Sequence, residues 1–356
     1  IAAGIDKSIF GFLVYCLCFL GCAAAPATIT DKSGDADLAD LLESIRIKER
    51  LPALTAAIIV VTKHGYQLAG TLTLPINFPR PFPAVVLITG SHPQNRDMVG
   101  SIKDPIGRYR PFRQIADALS SRGIAVLRMD DRGVGCSEGG DIANATIPER
   151  ADDIKAGIRY LKNRNEVDAE RIGLLGLSEG ANIGPMIAAS DPSIRAVVMM
   201  APTASNGYKI EEYQRRLMID ERSDLTDAQK KRVLEKSMRG LDDALARGEG
   251  GPWFRSYLAY MPLPTAKQVS CPALILHGDK DAHIPVEHSK LLEKAMRSSG
   301  NDDVTLIIFN DHNHLFLEDP NGNISGYADL LQHTNQLSEN VLSTITDWLS
   351  FHLLVK

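Results

Sequence analysis

The stretch RIGLLGLSEGANIGPM, Arg171–Met186, passes from an apolar run into a glycine-punctuated one. It encloses G-x-S-x-G, from Gly176 to Gly180, with Ser178 at its centre. RIGLLGL reads as a buried strand and the residues after Ser178 as a helix, which places Ser178 on the turn between them. A sharp turn there pushes the serine hydroxyl out at the top of a sheet, and its flanking glycines avoid clashes with neighbouring backbone. A serine at a helix start also serves as a cap. The motif by itself does not separate a nucleophile from a cap.

On either side of this stretch, apolar strands alternate with helices. AVVLITG (Ala84–Gly90), GIAVLRMD (Gly123–Asp130), RIGLLGL and IRAVVMMAP (Ile194–Pro202) read as strands. PFRQIADALSSRG and the amphipathic IPERADDIKAGIRYLKNR (Ile147–Arg164, with Pro148 in its first turn) read as helices between them. PALILHG (Pro272–Gly278) and VTLIIFN (Val304–Asn310) resume the strands, and a helix over about 338–354 closes the domain. Upstream, Ala56–Pro75 reads as a hairpin turning at His64-Gly65. The alternation implies an α/β fold, a mostly parallel central sheet covered by helices on both faces. Between about 205 and 264 the chain turns charged and helical in pattern, and its position after a central strand suits a helical cap insertion.

A serine hydroxyl needs a base to take its proton. On such a fold the acid and the histidine follow the serine in the chain, in that order. HGDKDAHIP (His277–Pro285) offers Asp279 and Asp281 after one strand, and NDHNHLF (Asn310–Phe316) offers His312 and His314 after the next. Both loops leave the carboxyl ends of strands, where a parallel sheet places its site.

GSHPQNRD (Gly90–Asp97), DDRGVGCS (Asp130–Ser137), GLSEG, GDKD and NHLF, in this order, resemble the motifs of a group of bacterial serine esterases in the α/β-hydrolase superfamily. The group is related to the prolyl-oligopeptidase-like and dienelactone-hydrolase-like enzymes. The resemblance spans about residues 65–349. It implies that Ser178 is the nucleophile, Asp281, three residues after Gly278, the acid, and His314 of NHLF the base. It also implies an oxyanion hole made by the backbone amides of Glu179 and Ser91. His92 departs from the glycine usual in that loop, where a Cβ would narrow it. The implied activity is hydrolysis of small or medium acyl esters through an acyl-enzyme, with peptidase action as the alternative and a non-catalytic binding protein as a more distant one.

Several side chains have milder readings. Arg96, Asp97, Asp131 and Arg132 are expected to form ion pairs bracing the two loops that carry them. Glu179 is a polar wall or a solvent-facing helix residue. Trp253, Phe254 and Tyr257 line an acyl pocket or pack cap against core. DDRGVGCS lacks the G-x-G-x-x-G spacing of a phosphate-cradling loop.

The 356 residues carry a formal charge of −5 and 44% hydrophobic residues, an ordinary globular composition without a basic patch, so nucleic acid is not an expected partner. No metal-ligand spacing is present, and neither a metal nor a cofactor is expected. Ile9–Ala25 is almost wholly apolar or small, between Lys7 and Pro26, and reads as a signal segment over 1–25. Residues 26–55 read as a linker and a short helix, and 56–356 as the catalytic domain. Export to the periplasm or medium is therefore expected, with membrane attachment through a lipidated Cys22 or an uncleaved segment as a variant. Of five cysteines only Cys136 and Cys271 lie beyond that segment; an oxidising compartment would permit a bond between them, geometry allowing.

Overall fold

A computed structural model describes residues 54–99, 109–323 and 326–355. The expected signal, linker and short helix lie outside the described residues. Eight strands form one open sheet in the order β1-β2-β4-β3-β5-β6-β7-β8. β1 (Leu54–Val61) and β2 (Gln67–Leu74) make the antiparallel hairpin expected around His64-Gly65, and β2 also runs antiparallel to β4 (Ala125–Met129). β3 (Phe82–Ile88), β4, β5 (Val167–Leu177), β6 (Ile194–Met200), β7 (Ala273–Gly278) and β8 (Val304–Phe309) are parallel.

Burial follows the topology. β3, β4 and β7 are buried at every residue, whereas the edge strand β1 alternates buried and exposed positions. On one face α1 (Pro111–Ser120) and the last helix, Glu339–Leu354, pack a core of Phe112, Ile115, Leu119, Ile345 and Leu349. On the other, α2 (Ile147–Lys162) and α3 (Gly180–Ser190) bury Ile147, Ile158, Leu161, Ile183 and Ile187.

After β6 the chain leaves the sheet as α4 (Gly207–Asp220), α5 (Asp227–Ala246), α6 (Pro252–Ala259) and α7 (Pro262–Ala266). It returns through β7, α8 (Glu287–Arg297), β8 and α9 (Tyr327–His333) to α10, the Glu339–Leu354 helix. α5 opens with a capping box: Thr226 Oγ1 accepts from Gln229 N while Gln229 Oε1 accepts from Thr226 N. Among the described residues no helix is long and apolar enough to cross a membrane.

The order of the strands decides where a site forms. The chain moves from β3 outward to β4, then crosses back to place β5 on β3's other side. The carboxyl ends of β3 and β5 therefore flank the point where strand order reverses, the crevice in which open α/β sheets bind ligands.

Candidate active site

Ser178 occupies the turn between β5 and α3 with φ of 58°, a left-handed conformation that costs a non-glycine residue on the order of 1 kcal/mol. Its amide donates to Met200 O at 2.9 Å, which ties the turn to the end of β6. The two motif glycines are steric requirements. A Cβ on Gly176 would lie 2.0 Å from the Gly180 carbonyl oxygen, and one on Gly180 would lie 2.2 Å from Ile88 O in β3. The capping alternative for the serine gains nothing, because the N-cap position is Glu179, without a side-chain cap bond.

The two downstream loops meet. Asp281 and His314 are both buried, and His314 Nδ1 lies 2.7 Å from Asp281 Oδ2. An ionised carboxylate only accepts, so His314 donates through Nδ1 and leaves Nε2 available as an acceptor. Asp281 Oδ1 accepts from the amides of His283 at 2.8 Å and Ile284 at 2.9 Å. His277 Nε2 stands 3.2 Å from Oδ2 and also donates to Ile284 O at 3.0 Å, with its Nδ1 beside Ser289 Oγ at 2.6 Å. Burial alone would raise the Asp281 carboxyl, but the charge of His314 and hydrogen bonds from His277 and His314 hold it well below the usual carboxylate range.

The alternatives face elsewhere. Asp279 pairs with Lys280 at 3.8 Å, and His312 Nδ1 bonds to Asn310 O at 2.6 Å. The loop of His314 is fixed on three sides. Asn313 Oδ1 accepts from Leu315 N and Leu317 N, Tyr109 Oη donates to Leu315 O at 2.6 Å, and His314 N donates to Tyr327 Oη at 3.1 Å. A Cβ on Gly278 would lie 2.1 Å from His312 O, so only glycine lets the Asp281 and His314 loops pack together.

The loop after β3 lies against the Ser178 turn: a Cβ on Gly90 would be 3.6 Å from Ser178 Cβ. Ser91 follows, half-buried, and among the described residues neither its amide nor that of Glu179 donates a hydrogen bond. His92 is exposed and its φ lies outside the left-handed region, so the loop accommodates a side chain where the resembling enzymes carry glycine.

Some expected partners are corrected. Arg96 pairs with Asp130, not Asp131, through Nε at 2.9 Å and Nη2 at 2.6 Å, while Asp97 pairs with Arg128 on β4. Arg132 pairs with Asp153 of α2 at 2.8 Å. Asp131 instead turns inward, accepting from Thr89 Oγ1 at 2.6 Å and Gln94 N at 3.0 Å, and burial pushes its carboxyl up to about 6 against the pull of Arg150. Glu179 is neither a free wall nor solvent-facing: it is buried against Arg150 and accepts from Trp253 Nε1 at 2.9 Å. Trp253 stacks on Tyr257 of the same helix with ring centroids 5.5 Å apart, and Tyr257 packs against the core, so these two rings contribute to packing the helical excursion on the sheet. Cys271 is a free thiol, which rules out its bond with Cys136.

Sequence reading missed Arg150, His277, His283 and Tyr327. Arg150 had a signal: it sits on the apolar stripe of α2 formed by Ile147, Ala151, Ile154 and Ile158. His277 stands i, i+4 from Asp281.

The excursion touches the Asp281 loop, which in turn lies against the His314 loop. Gln214 Nε2 of α4 donates to His283 O at 3.1 Å, and the His283 ring lies 4.9 Å from that of His314 and 5.2 Å from Tyr327. At the excursion's root, His288 Nδ1 accepts from Ala204 N at 3.1 Å. Burial, first, pushes both His283 and His288 down to about 4 from 6.5. Below pH 6.5 the unfolded chain takes up protons that these folded imidazoles refuse. Stability is thus fully present above 6.5 and falls progressively to pH 4. Asp131, raised, acts in the opposite sense, so the variant His288→Gln isolates the effect. Thermal unfolding from pH 7 to 4 is expected to show a shallower decline in that variant than in the wild type; parallel curves would contradict the assignment.

Comparison with known proteins places these features in a family. The BD-FAE family model matches residues 71–296, and the Dienelactone hydrolase family model matches residues 254–353. Esterase EstD of Thermotoga maritima is 30% identical over 260 residues, covering 72% of this chain and 59% of EstD, so the match spans under two thirds of that relative. The uncharacterized peptidase YtmA of Bacillus subtilis is 26% identical over 56% of this chain and 66% of its own length. Among solved structures, the Pyrococcus furiosus esterase Pf2001 superposes with a TM-score of 0.57 at 18% identity, over 86% of this chain and 94% of the other. The Pyrococcus horikoshii acylaminoacyl peptidase gives 0.55 at 17% identity, over 87% and 43%. With the sheet order, the nucleophile-type turn and a family model matched over more than half of its length, the chain belongs to the BD-FAE family, within the α/β-hydrolase superfamily.

Proposed function

We propose that the protein is a serine hydrolase that cleaves carboxylic esters of small or medium acyl groups. The observation that carries the reading is the buried Asp281–His314 pair at 2.7 Å, delivered by adjacent loops to the end of the sheet where Ser178 sits on its strained turn. Ser178 Oγ attacks the acyl carbonyl as His314 Nε2 takes its proton, and Asp281 holds the imidazole tautomer and stabilises the imidazolium. The tetrahedral oxyanion is received by the amides of Ser91 and Glu179, whose N–H groups have no other acceptor among the described residues. His314 then protonates the leaving alkoxide, and water repeats the sequence on the acyl-enzyme. The donors are all protein groups, so the reading assigns no metal or cofactor.

EstD and Pf2001 bear esterase names, which supports the ester over the amide. The peptidase names among the relatives keep amide cleavage as the competing outcome. Purified protein assayed on p-nitrophenyl esters of graded chain length beside aminoacyl-p-nitroanilides distinguishes them. Turnover of the short and medium esters is expected; turnover of the anilides alone would overturn the ester assignment. Export, with or without a lipid on Cys22, is proposed from the residues 1–25 pattern and is tested by locating the mature chain in cell fractions.

A further inference from the structure

Arg150 is a buried cation on α2, 4% exposed, that the reaction scheme above does not use. Its helix begins with a capping box in which Glu149 Oε2 accepts from Thr146 N at 2.8 Å, so the first turn that carries Arg150 is fixed. The guanidinium forks between two site segments. Nη1 meets Glu179 Oε1, while Nη2 donates to Gly90 O at 2.8 Å and approaches Thr89 Oγ1 at 3.3 Å. Asp131 Oδ1 stands 3.7 Å from Nη2, and the far oxygen of Glu179 is taken by Trp253.

These contacts fall on Glu179 and on Gly90, whose carbonyl belongs to the same peptide as the Ser91 amide, and the Glu179 and Ser91 amides face the oxyanion in the scheme. The Gly90–Ser91 peptide is trans, and across a trans peptide the carbonyl and the N–H point in opposite directions. Holding the Gly90 carbonyl toward α2 therefore aims the Ser91 N–H away from α2. The second donor, the Glu179 amide, belongs to the residue whose side chain the same guanidinium grips.

We propose that Arg150 is a positioning residue for the oxyanion hole, one guanidinium fixing the Ser91 amide through the Gly90 carbonyl and the Glu179 amide through its carboxylate. The proposal rests on the serine-hydrolase reading and adds to it a residue that touches no substrate. Planar two-pronged donation is required, because a lysine ammonium is a point donor that does not reproduce the fork.

The test is R150K, with p-nitrophenyl butyrate as substrate and an alkyl trifluoromethyl ketone, which forms an oxyanion-bearing hemiketal with serine, as inhibitor. Misdirected amides weaken binding of the transition state but not of the ground-state ester. In R150K, kcat is expected to fall about tenfold or more with KM changed less than about threefold, and the ketone Ki to rise in parallel with the loss in kcat/KM. A merely structural role would lower thermal stability without this parallel. If R150K does not fold, R150M/E179Q, which removes both charges together, carries the same readouts and the same expected result. Unchanged kcat in a folded variant, or a fall in kcat with an unaltered ketone Ki, would overturn the proposal. Failure of the underlying reading looks different: the wild type itself would neither turn over the ester nor bind the ketone, and the proposal would fall with it.

Discussion

Replacing His314 by alanine is expected to remove ester turnover, lowering kcat by about ten-thousandfold or more, whereas His312→Ala keeps most of it. Both histidines lie on the loop after β8, two residues apart, and both are buried. Their ring contacts separate them. His314 spends Nδ1 on Asp281 and keeps Nε2 for a proton, whereas the His312 ring bonds to Asn310 O and its backbone pairs in an isolated β-bridge with Glu318. Steady-state kinetics on p-nitrophenyl butyrate, with circular dichroism as the folding control, measure the difference. Near-normal turnover in His314→Ala would move the base elsewhere.

Asp281→Asn is the second large effect, a loss in kcat of about ten-thousandfold with the loop geometry retained. Oδ1 faces two backbone amides and must stay an acceptor, which puts the new amide nitrogen at the position facing His314 and His277. There it donates to His314 Nδ1 and forces the proton onto Nε2, the wrong tautomer for a base. The carboxylate is also a source of stability, because its folded pKa is depressed. That contribution is present above the ordinary carboxylate pKa and is lost as pH falls through the depressed folded value. The Asn variant is therefore expected to melt lower than wild type at pH 7. Retention of kcat within about tenfold of wild type would show that Asp281 does not set the tautomer.

Much of the candidate site's geometry was legible because it is written in local patterns. G-x-S-x-G after an apolar run locates a turn whose sterics admit glycine alone at Gly176 and Gly180, and the spacing Gly278 to Asp281 marks the loop that meets His314. Periodicity located the hairpin and the closing helix, expected over about 338–354 and found at Glu339–Leu354. Partnerships across the sheet were not legible. Arg96 reaches Asp130 and Asp97 reaches Arg128 because β4 lies between β2 and β3, an order that no local pattern encodes. Glu179 was ambiguous for the same reason. Whether a helix-start carboxylate faces solvent or the interior depends on what the neighbouring helix presents, here Arg150. The ring of Trp253 reaches Glu179 only once the excursion has folded back over the sheet, a contact across 74 positions of sequence.

Ser178 is the proposed nucleophile, activated by the His314–Asp281 pair. The most direct measurement of this role is the intact mass of the protein after reaction with a fluorophosphonate, followed by peptide mapping of the adduct. The wild type should gain a single phosphonyl group on Ser178, and Ser178→Ala should gain none. A wild type that stays unmodified under native conditions, or an adduct that persists in Ser178→Ala, would contradict the account.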